Sequence, residues 1–190
     1  MIQELIRRTR SYRRFDQEHV IGTQTLESLI ELARQGGSAR NVQPLKYITV
    51  SSWEINEKIF PLLGWAGYLS DWAGPAEGER PTAYIICLGD QTIAPNCQCD
   101  LGIATQNILL GATELGLGGC RIGSFSPGIR KILDIPPEFE LLLVIALGKP
   151  VEQVVIDDCP RGGDIRYWRD VQSIHHVPKR SLEEILIKRF

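Results

Sequence analysis

The chain has 190 residues, 43% hydrophobic and 23% charged, with 21 Lys+Arg against 23 Asp+Glu and a formal net charge of −2. These values exclude a disordered, collagen-like or coiled-coil chain and give no bulk attraction to nucleic acid or an anionic membrane. The purest apolar run, Leu141 to Leu147, falls far short of the ~18–20 residues of a membrane helix.

Residues 2–9 suit a short helix with Ile2, Leu5 and Ile6 on one face. Five arginines then crowd the eight positions from Arg7 to Arg14. A second helix is expected after a Thr23 or Thr25 cap, with Leu26, Leu29, Ile30 and Ala33 buried, ended by a left-handed glycine cap at Gly36-Gly37. Ser38 to Pro44 is a polar loop, and Lys46 to Ser51 has the β-branched and aromatic content of a strand. Residues 54–72 are mixed or helical and carry Phe60, Trp65, Tyr68 and Trp72.

Thr82 to Leu88 predicts a strand buried on both faces. Cys99 to Leu117 predicts the strongest helix. Leu101, Ala104, Ile108, Ala112 and Leu115 keep the helical period, while Ile103, Leu109 and Leu110 occupy other faces. A helix apolar nearly all round belongs at the centre of a domain or at an oligomer interface. Glycines 116, 118 and 119 stop it. A short strand over 120–125 and a helix over 127–133 begun by Ser126-Pro127 follow, then a buried strand over 141–147 and an edge strand over 154–156. The tail, 157–180, is polar with one aromatic cluster, and Ser181 to Glu184 matches a capping box. The alternation predicts one α/β or α+β sandwich domain with helices covering a central sheet.

Several familiar motifs fail. A dinucleotide G-x-G-x-x-G from Gly116 would need glycine where Arg121 stands. Gly148-Lys149 leads into Pro150 and makes no phosphate loop, and a nucleophile elbow at Ser126 lacks its first glycine. Cys97-x-Cys99 and His175-His176 have no partners at metal spacing, so no metal site is expected. The odd count of five cysteines and the absence of a secretory apolar stretch at the N-terminus point to reduced thiols and a cytoplasmic setting.

Four segments offer ligand chemistry. Arg10, Ser11 and Arg13 supply forked donors and a hydroxyl for a phosphate; the alternative is a solvated basic terminus. Ser38, Ala39, Asn41 and Gln43 offer amides suited to a ring with alternating C=O and N–H groups, or simply a helix-to-strand turn. Gly118 to Ser124 brings backbone N–H groups close to a ligand, or packs tightly. Val177-Pro178-Lys179-Arg180 is a further basic segment, or a surface loop.

In this order, the segments resemble the nitroreductase family of FMN-dependent oxidoreductases. Arg10-Ser11-Tyr12-Arg13-Arg14-Phe15 is similar to its R-S-x-R-x-F signature, and Ser38-x-x-Asn41-x-Gln43-Pro44 to its S-x-x-N-x-Q-P loop. Glu79 to Ile85, Asp100 to Leu110 and Leu115 to Cys120 resemble its central-strand entry, long dimer helix and following turn. The likeness runs from about residue 2 to 156 and resumes at Val177–Arg180.

The resemblance implies a three-layer α+β sandwich, a mainly antiparallel sheet flanked by helices, in an intertwined homodimer. Residues 1–190 would form one domain, with 157–190 exchanged between subunits. Arg10, Ser11 and Arg13, completed by Lys179 or Arg180, would hold the FMN phosphate and ribityl chain. Ser38, Ala39, Asn41 and Gln43 of the other subunit would line the isoalloxazine, and Ile122, Gly123 and Ser124 would face the N5 side. Trp65, Tyr68 and Trp72 could roof the substrate pocket. The implied activity is ping-pong hydride transfer from NAD(P)H through flavin N5 to a nitroaromatic, quinone or similar electrophile. Flavin storage or sensing without turnover, and flavin fragmentation, are the alternatives. Departures from the family pattern are Gly37 for Pro, Leu45 for Trp and Gly123 for Glu.

Overall fold

The computed structural model describes residues 1–190. Its helices are α1 (Ile2–Arg8), α2 (Thr23–Arg34), α3 (Trp53–Ile59), α4 (Gln98–Glu114), α5 (Gly128–Ile132) and α6 (Leu182–Ile185). Its strands are β1 (Phe15–Asp16), β2 (Leu45–Val50), β3 (Ala83–Asp90), β4 (Gly118–Ile122), β5 (Phe139–Pro150), β6 (Val154–Cys159), β7 (Trp168–Arg169) and β8 (His175–Arg180). Strand β5 is the hub of the main sheet. It pairs with β3 along one edge and with β4 and β1 along the other, and β2 continues the sheet beyond β3. Every pairing in this sheet is antiparallel.

All eight residues of β3 are buried, as its unbroken apolar run predicts. Successive strand side chains point to opposite faces, and this builds two cores. Ala83, Ile85, Cys87, Ile145 and Leu147 face Leu26, Leu29 and Ala33 of α2 and Leu101, Ala104, Ile108 and Ala112 of α4. Tyr84, Ile86, Leu88, Val144 and Ala146 face Ile59 of α3 and Ile129 of α5. Each fully buried Ile or Leu contributes about 1.5–3 kcal/mol, so the three-layer sandwich is the arrangement that satisfies both faces of the sheet.

Several local expectations are corrected. Helix α2 starts at Thr23 with Gly22 as its N-cap, so neither threonine caps it through a side chain. It ends at Gln35 in right-handed geometry, not in a left-handed glycine cap. Gly36 serves close approach instead: a Cβ there would lie 3.1 Å from both Asn107 Nδ2 and Ile103 Cγ2 of α4. The left-handed stop belongs to α4. Gly116 has φ of +74°, the Leu117 N–H donates to the Ala112 carbonyl at 2.8 Å, and the Gly116 N–H donates to that of Thr113 at 3.1 Å. That is the double hydrogen bond of a Schellman ending.

Strand β4 begins two residues earlier than expected, and α5 begins at Gly128, where the Ser126 hydroxyl accepts the Gly128 N–H at 3.2 Å. Ser181 caps α6 as predicted, accepting the Glu184 N–H. Strand β6 is an edge strand, longer than foreseen, of a second sheet ordered β6-β8-β7. This sheet carries the polar tail back onto the N-terminal segment, where His175 is buried.

Candidate functional site

Both ends of the chain meet at one cleft. Its walls are Thr9, Arg10, Ser11 and Arg13 from the segment after α1; Gln106 and Leu109 from α4; Arg121 from β4; and Tyr167, His175, Val177 and Lys179 from the tail. Its volume is about 300 Å³, and no acidic residue lines it. The N-terminal segment is laid along β4 by the Tyr12 N–H, which donates to the Gly119 carbonyl at 3.1 Å. Gly118 and Gly119 permit that approach. A Cβ on Gly118 would stand 2.6 Å from the Tyr12 ring, and one on Gly119 would stand 2.7 Å from the Leu109 side chain. These glycines are spent on packing, not on approach to a ligand.

The arginine cluster divides by partner. Arg7 and Arg8 are exposed. Arg14 forks onto Glu79, with Nε donating to Oε2 at 2.7 Å. Arg10 donates from Nη2 to the Ile6 carbonyl at 2.7 Å, and its Nε is buried without a partner. Arg13 is only 8% exposed. Its Nη1 lies 3.3 Å from the Ser11 carbonyl and 3.2 Å from His175 Nε2, and its guanidinium sits 4.9 Å from the Tyr167 ring centroid. No carboxylate pairs with Arg10 or Arg13.

Glu152 holds this arrangement from beneath. Its side chain is 1% exposed; Oε1 accepts the backbone N–H of Arg13 and Arg14, and Oε2 accepts Arg169 Nη2 at 3.1 Å. Arg121 is anchored to neutral groups, with Nε donating to Thr105 Oγ1 at 2.8 Å and Nη2 to Gln106 Oε1 at 3.0 Å. Burial lowers the pKa of Arg10 and Arg121, yet guanidinium remains charged in proteins. The cleft therefore presents four cations, counting Lys179, with no lining acid to offset them.

Lys179 lines this cleft, while Arg180 turns away and donates to Glu184 at 2.5 Å. Ser38 and Gln43 lie elsewhere, in a second cleft of about 440 Å³ with Ile30, Arg34, Tyr47 and Asp100 among its walls. Three non-glycine residues of that loop are left-handed: Arg40 (φ 53°), Asn41 (57°) and Gln43 (54°). Ala39, Asn41 and Gln43 are exposed. At 3.6 residues per turn, Asp100 and Ala104 fall on the side of α4 opposite Gln106 and Leu109. One chain thus carries its two candidate clefts on opposite faces of one helix.

Ile122 is buried, whereas Gly123 and Ser124 are exposed, and a Cβ on Gly123 would only touch the Leu143 side chain at 4.0 Å. Of the three aromatics, Trp65 packs on the core beside Phe60 and over Gly74. Trp72 lies under the Arg169 guanidinium at 4.6 Å. Tyr68 is exposed and stands 4.8 Å from Tyr167, ring to ring. Sequence reasoning missed Glu152 and Tyr167, set His175 aside with the metal candidates, and read Arg121 only for the backbone of the Gly118–Ser124 segment.

The chain is thus a three-layer antiparallel sandwich in which the N-terminal segment and the tail close around a cleft without acidic lining. The chain belongs to the nitroreductase family, whose model matches residues 6–74 and 76–149. A protein of Methanothermobacter thermautotrophicus with the provisional name NADH dehydrogenase/NAD(P)H nitroreductase is 30% identical over 158 residues, 80% of this chain and 78% of that protein. A nitroreductase family protein from Clostridium novyi NT has the same fold, with a TM-score of 0.66 at 25% identity over 79% of this chain and 86% of its own. The NADPH:FMN oxidoreductase of Vibrio harveyi, solved with NAD+, shares the fold with a TM-score of 0.59 at 24% identity, over 79% of this chain and 69% of its own. No helix is long and apolar enough to cross a membrane.

Proposed function

We propose that the protein is an FMN-dependent NAD(P)H oxidoreductase acting on a small electrophilic acceptor such as a nitroaromatic or quinone. The observation that carries this reading is the convergence of Arg10, Arg13 and Lys179 in a cleft with no lining acid. Arg13 is buried and Arg10 half-buried, neither with a carboxylate partner, and Lys179 is exposed at the rim; a buried cation without a counter-charge is costly, and a phosphate dianion supplies that charge through forked hydrogen bonds. The unpartnered Nε of Arg10 and the exposed Ser11 hydroxyl fit the same group. When bound, FMN supplies the redox chemistry, taking a hydride from NAD(P)H and giving it to the acceptor at one shared site.

The chain's own part is to bind and orient. Arg10, Ser11, Arg13 and Lys179 hold the phosphate end, and Ile122, Gly123 and Ser124 offer backbone beside an open surface. Ser38, Ala39, Asn41 and Gln43 line the ring from a second copy, since in one chain they lie across α4 from the phosphate grip. The chain exposes 11,167 Å², more than the roughly 9,000 Å² of a compact monomer of its size. The excess includes Ile103 on α4, Leu115 at its C-terminal end, and Leu182, Ile185, Ile187 and Phe190 at the C-terminus. Within 157–190, residues to Arg180 pack on their own chain, and the remainder is the part that reaches the second copy. The five unpaired cysteines suit a reducing cytoplasm.

The test is the visible spectrum of the purified protein during anaerobic addition of NADH and then NADPH. A bound yellow chromophore that bleaches, and recovers with a nitroaromatic or quinone, is the expected result. A flavin that NAD(P)H does not bleach would move the protein to the storage or sensor class. Failure to retain FMN after reconstitution would overturn the reading.

A further inference from the structure

We propose that His175 is the positioning residue of the phosphate grip: it acts through Arg13, holding that guanidinium in place as a hydrogen-bond acceptor. The proposal rests on the flavin reading above. Its foundation is the pair Arg13 Nη1 and His175 Nε2, 3.2 Å apart and buried. Arginine has donors only, so Nε2 carries no proton, and the neutral imidazole bears its hydrogen on Nδ1. That assignment is forced by the partner.

The imidazole is itself fixed. His175 is 1% exposed, its backbone N–H donates to the Gln153 carbonyl at 2.9 Å, and its ring lies 5.2 Å from that of Tyr167, the ring over which Arg13 also sits. Its Nδ1 is buried with no partner in the protein. An apolar side chain in this place would leave the buried Arg13 Nη1 without this acceptor; the imidazole supplies it while its own Nδ1–H stays unpaired, which points to a role in holding Arg13 at the cleft it lines. The grip is built from both chain ends, and His175 is the buried contact through which the tail fixes Arg13.

The groups facing His175 are Arg13 from the N-terminal segment, Arg169 from β7, Tyr167, and the adjacent His176. Burial, reinforced by Arg13 and Arg169, pushes the His175 pKa down to about 4. The acceptor form is therefore the resident one near neutrality. Protonation would set an N–H against the Arg13 donor and add a second cation beside it.

The experiment compares FMN with riboflavin, which lacks the phosphate, by quenching of flavin fluorescence on the flavin-stripped full-length protein. The ratio of the two dissociation constants reads the phosphate grip alone. Wild type is expected to favour FMN by at least about tenfold; a ratio near one would overturn the phosphate reading itself. His175→Leu is expected to cut the ratio by about tenfold with riboflavin affinity unchanged. His175→Gln, which keeps an acceptor but cannot titrate, is expected to hold most of the preference at neutral pH and to lose less of it than wild type as pH falls to about 4, the protonation of the phosphate to its monoanion at about pH 6 acting on both proteins alike. A wild-type preference that His175→Leu leaves intact overturns the His175 proposal alone, as does a His175→Gln loss equal to that of Leu. Should the Leu variant fail to fold, the Gln variant's ratio and its pH profile decide the matter.

Discussion

Ser38 is tied to Asp100 side chain to side chain: its hydroxyl donates to Asp100 Oδ2 at 2.5 Å, while the Ala39 N–H donates to Oδ1 at 3.1 Å. Asp100 is buried in the first turn of α4, where the positive end of the helix favours a carboxylate. One acid thus fixes the whole 38–43 loop, and the Gln43 N–H returns to the Ser38 hydroxyl at 2.9 Å. Asp100→Ala leaves those donors without their acceptor and is expected to lower stability by about 1–3 kcal/mol. Urea unfolding checks this. Unchanged stability would mean that the loop holds its shape without the acid.

The same loop carries left-handed strain at Arg40, whose side chain is exposed. Glycine adopts that conformation without a Cβ clash, and the penalty for other residues is about 1–2 kcal/mol. Arg40→Gly is expected to recover about 1 kcal/mol in the same assay, reduced by the entropy glycine adds to the unfolded chain. Destabilisation would show that Arg40 makes a contribution its geometry hides.

Glu152 sits beneath the anion cleft and satisfies two backbone donors and Arg169 at once. Removing one partner of a buried ion pair typically costs about 3–5 kcal/mol, because the other charge is left uncompensated. Glu152→Ala is expected to lose stability on that scale and to weaken FMN binding, since the Arg13 backbone loses its tether. Glu152→Gln keeps an acceptor and should lose less. Equal losses in the two variants would place the effect in the charge itself and not in packing.

Gly148 and Gly22 make a matched pair. A Cβ on Gly148 would lie 2.6 Å from the buried ring of Phe15, whereas one on Gly22 would meet nothing within 4 Å. Gly148→Ala is expected to cost about 1–3 kcal/mol by overpacking. Gly22→Ser, at the uncapped start of α2, is expected to gain a few tenths of a kcal/mol through the missing side-chain cap. Thermal melts that failed to separate the two variants in this direction would contradict the packing of β1 against β5.

How much was legible in the sequence follows from which forces act locally. The β3 run, the α4 period and the Ser181 cap were legible because burial pattern and capping chemistry are written in neighbouring residues. The role of Gly36 was misread, and at Gly118 and Gly119 the packing alternative is the one the structure shows. Each is small because another element lies against it, and the sequence does not show that neighbour. Arg10, Ser11, Arg13 and Lys179 meet in one cleft, but Glu152 was invisible, and the side-chain roles of His175 and Arg121 were not seen. Their partners lie 139, 162 and 16 residues away, and nothing in their own surroundings marks them. The division of the candidates between two clefts follows the resemblance, which sets Ser38, Ala39, Asn41 and Gln43 on another subunit; residue spacing alone does not show it, because it depends on which face of α4 each loop meets.

His176, next to the histidine of the cleft, gives the remaining prediction. Its Nδ1 lies 2.9 Å from Asp157 Oδ2 and its Nε2 3.4 Å from Asp170 Oδ2, with the ring stacked on Trp168 at 4.1 Å. Burial opposes the charged form, but the two carboxylates outweigh it and raise the pKa. Below the unfolded value of about 6.5, both states bind the proton and the stabilisation is fully present. As pH rises from there to the folded value, the unfolded chain releases its proton first and the advantage shrinks; above the folded value it is gone. The stability difference between wild type and His176→Asn is therefore expected to fall as pH rises above about 6.5. Urea unfolding at half-unit steps measures it. A difference that stayed flat or grew with pH would show that the two aspartates do not hold a charged imidazole there.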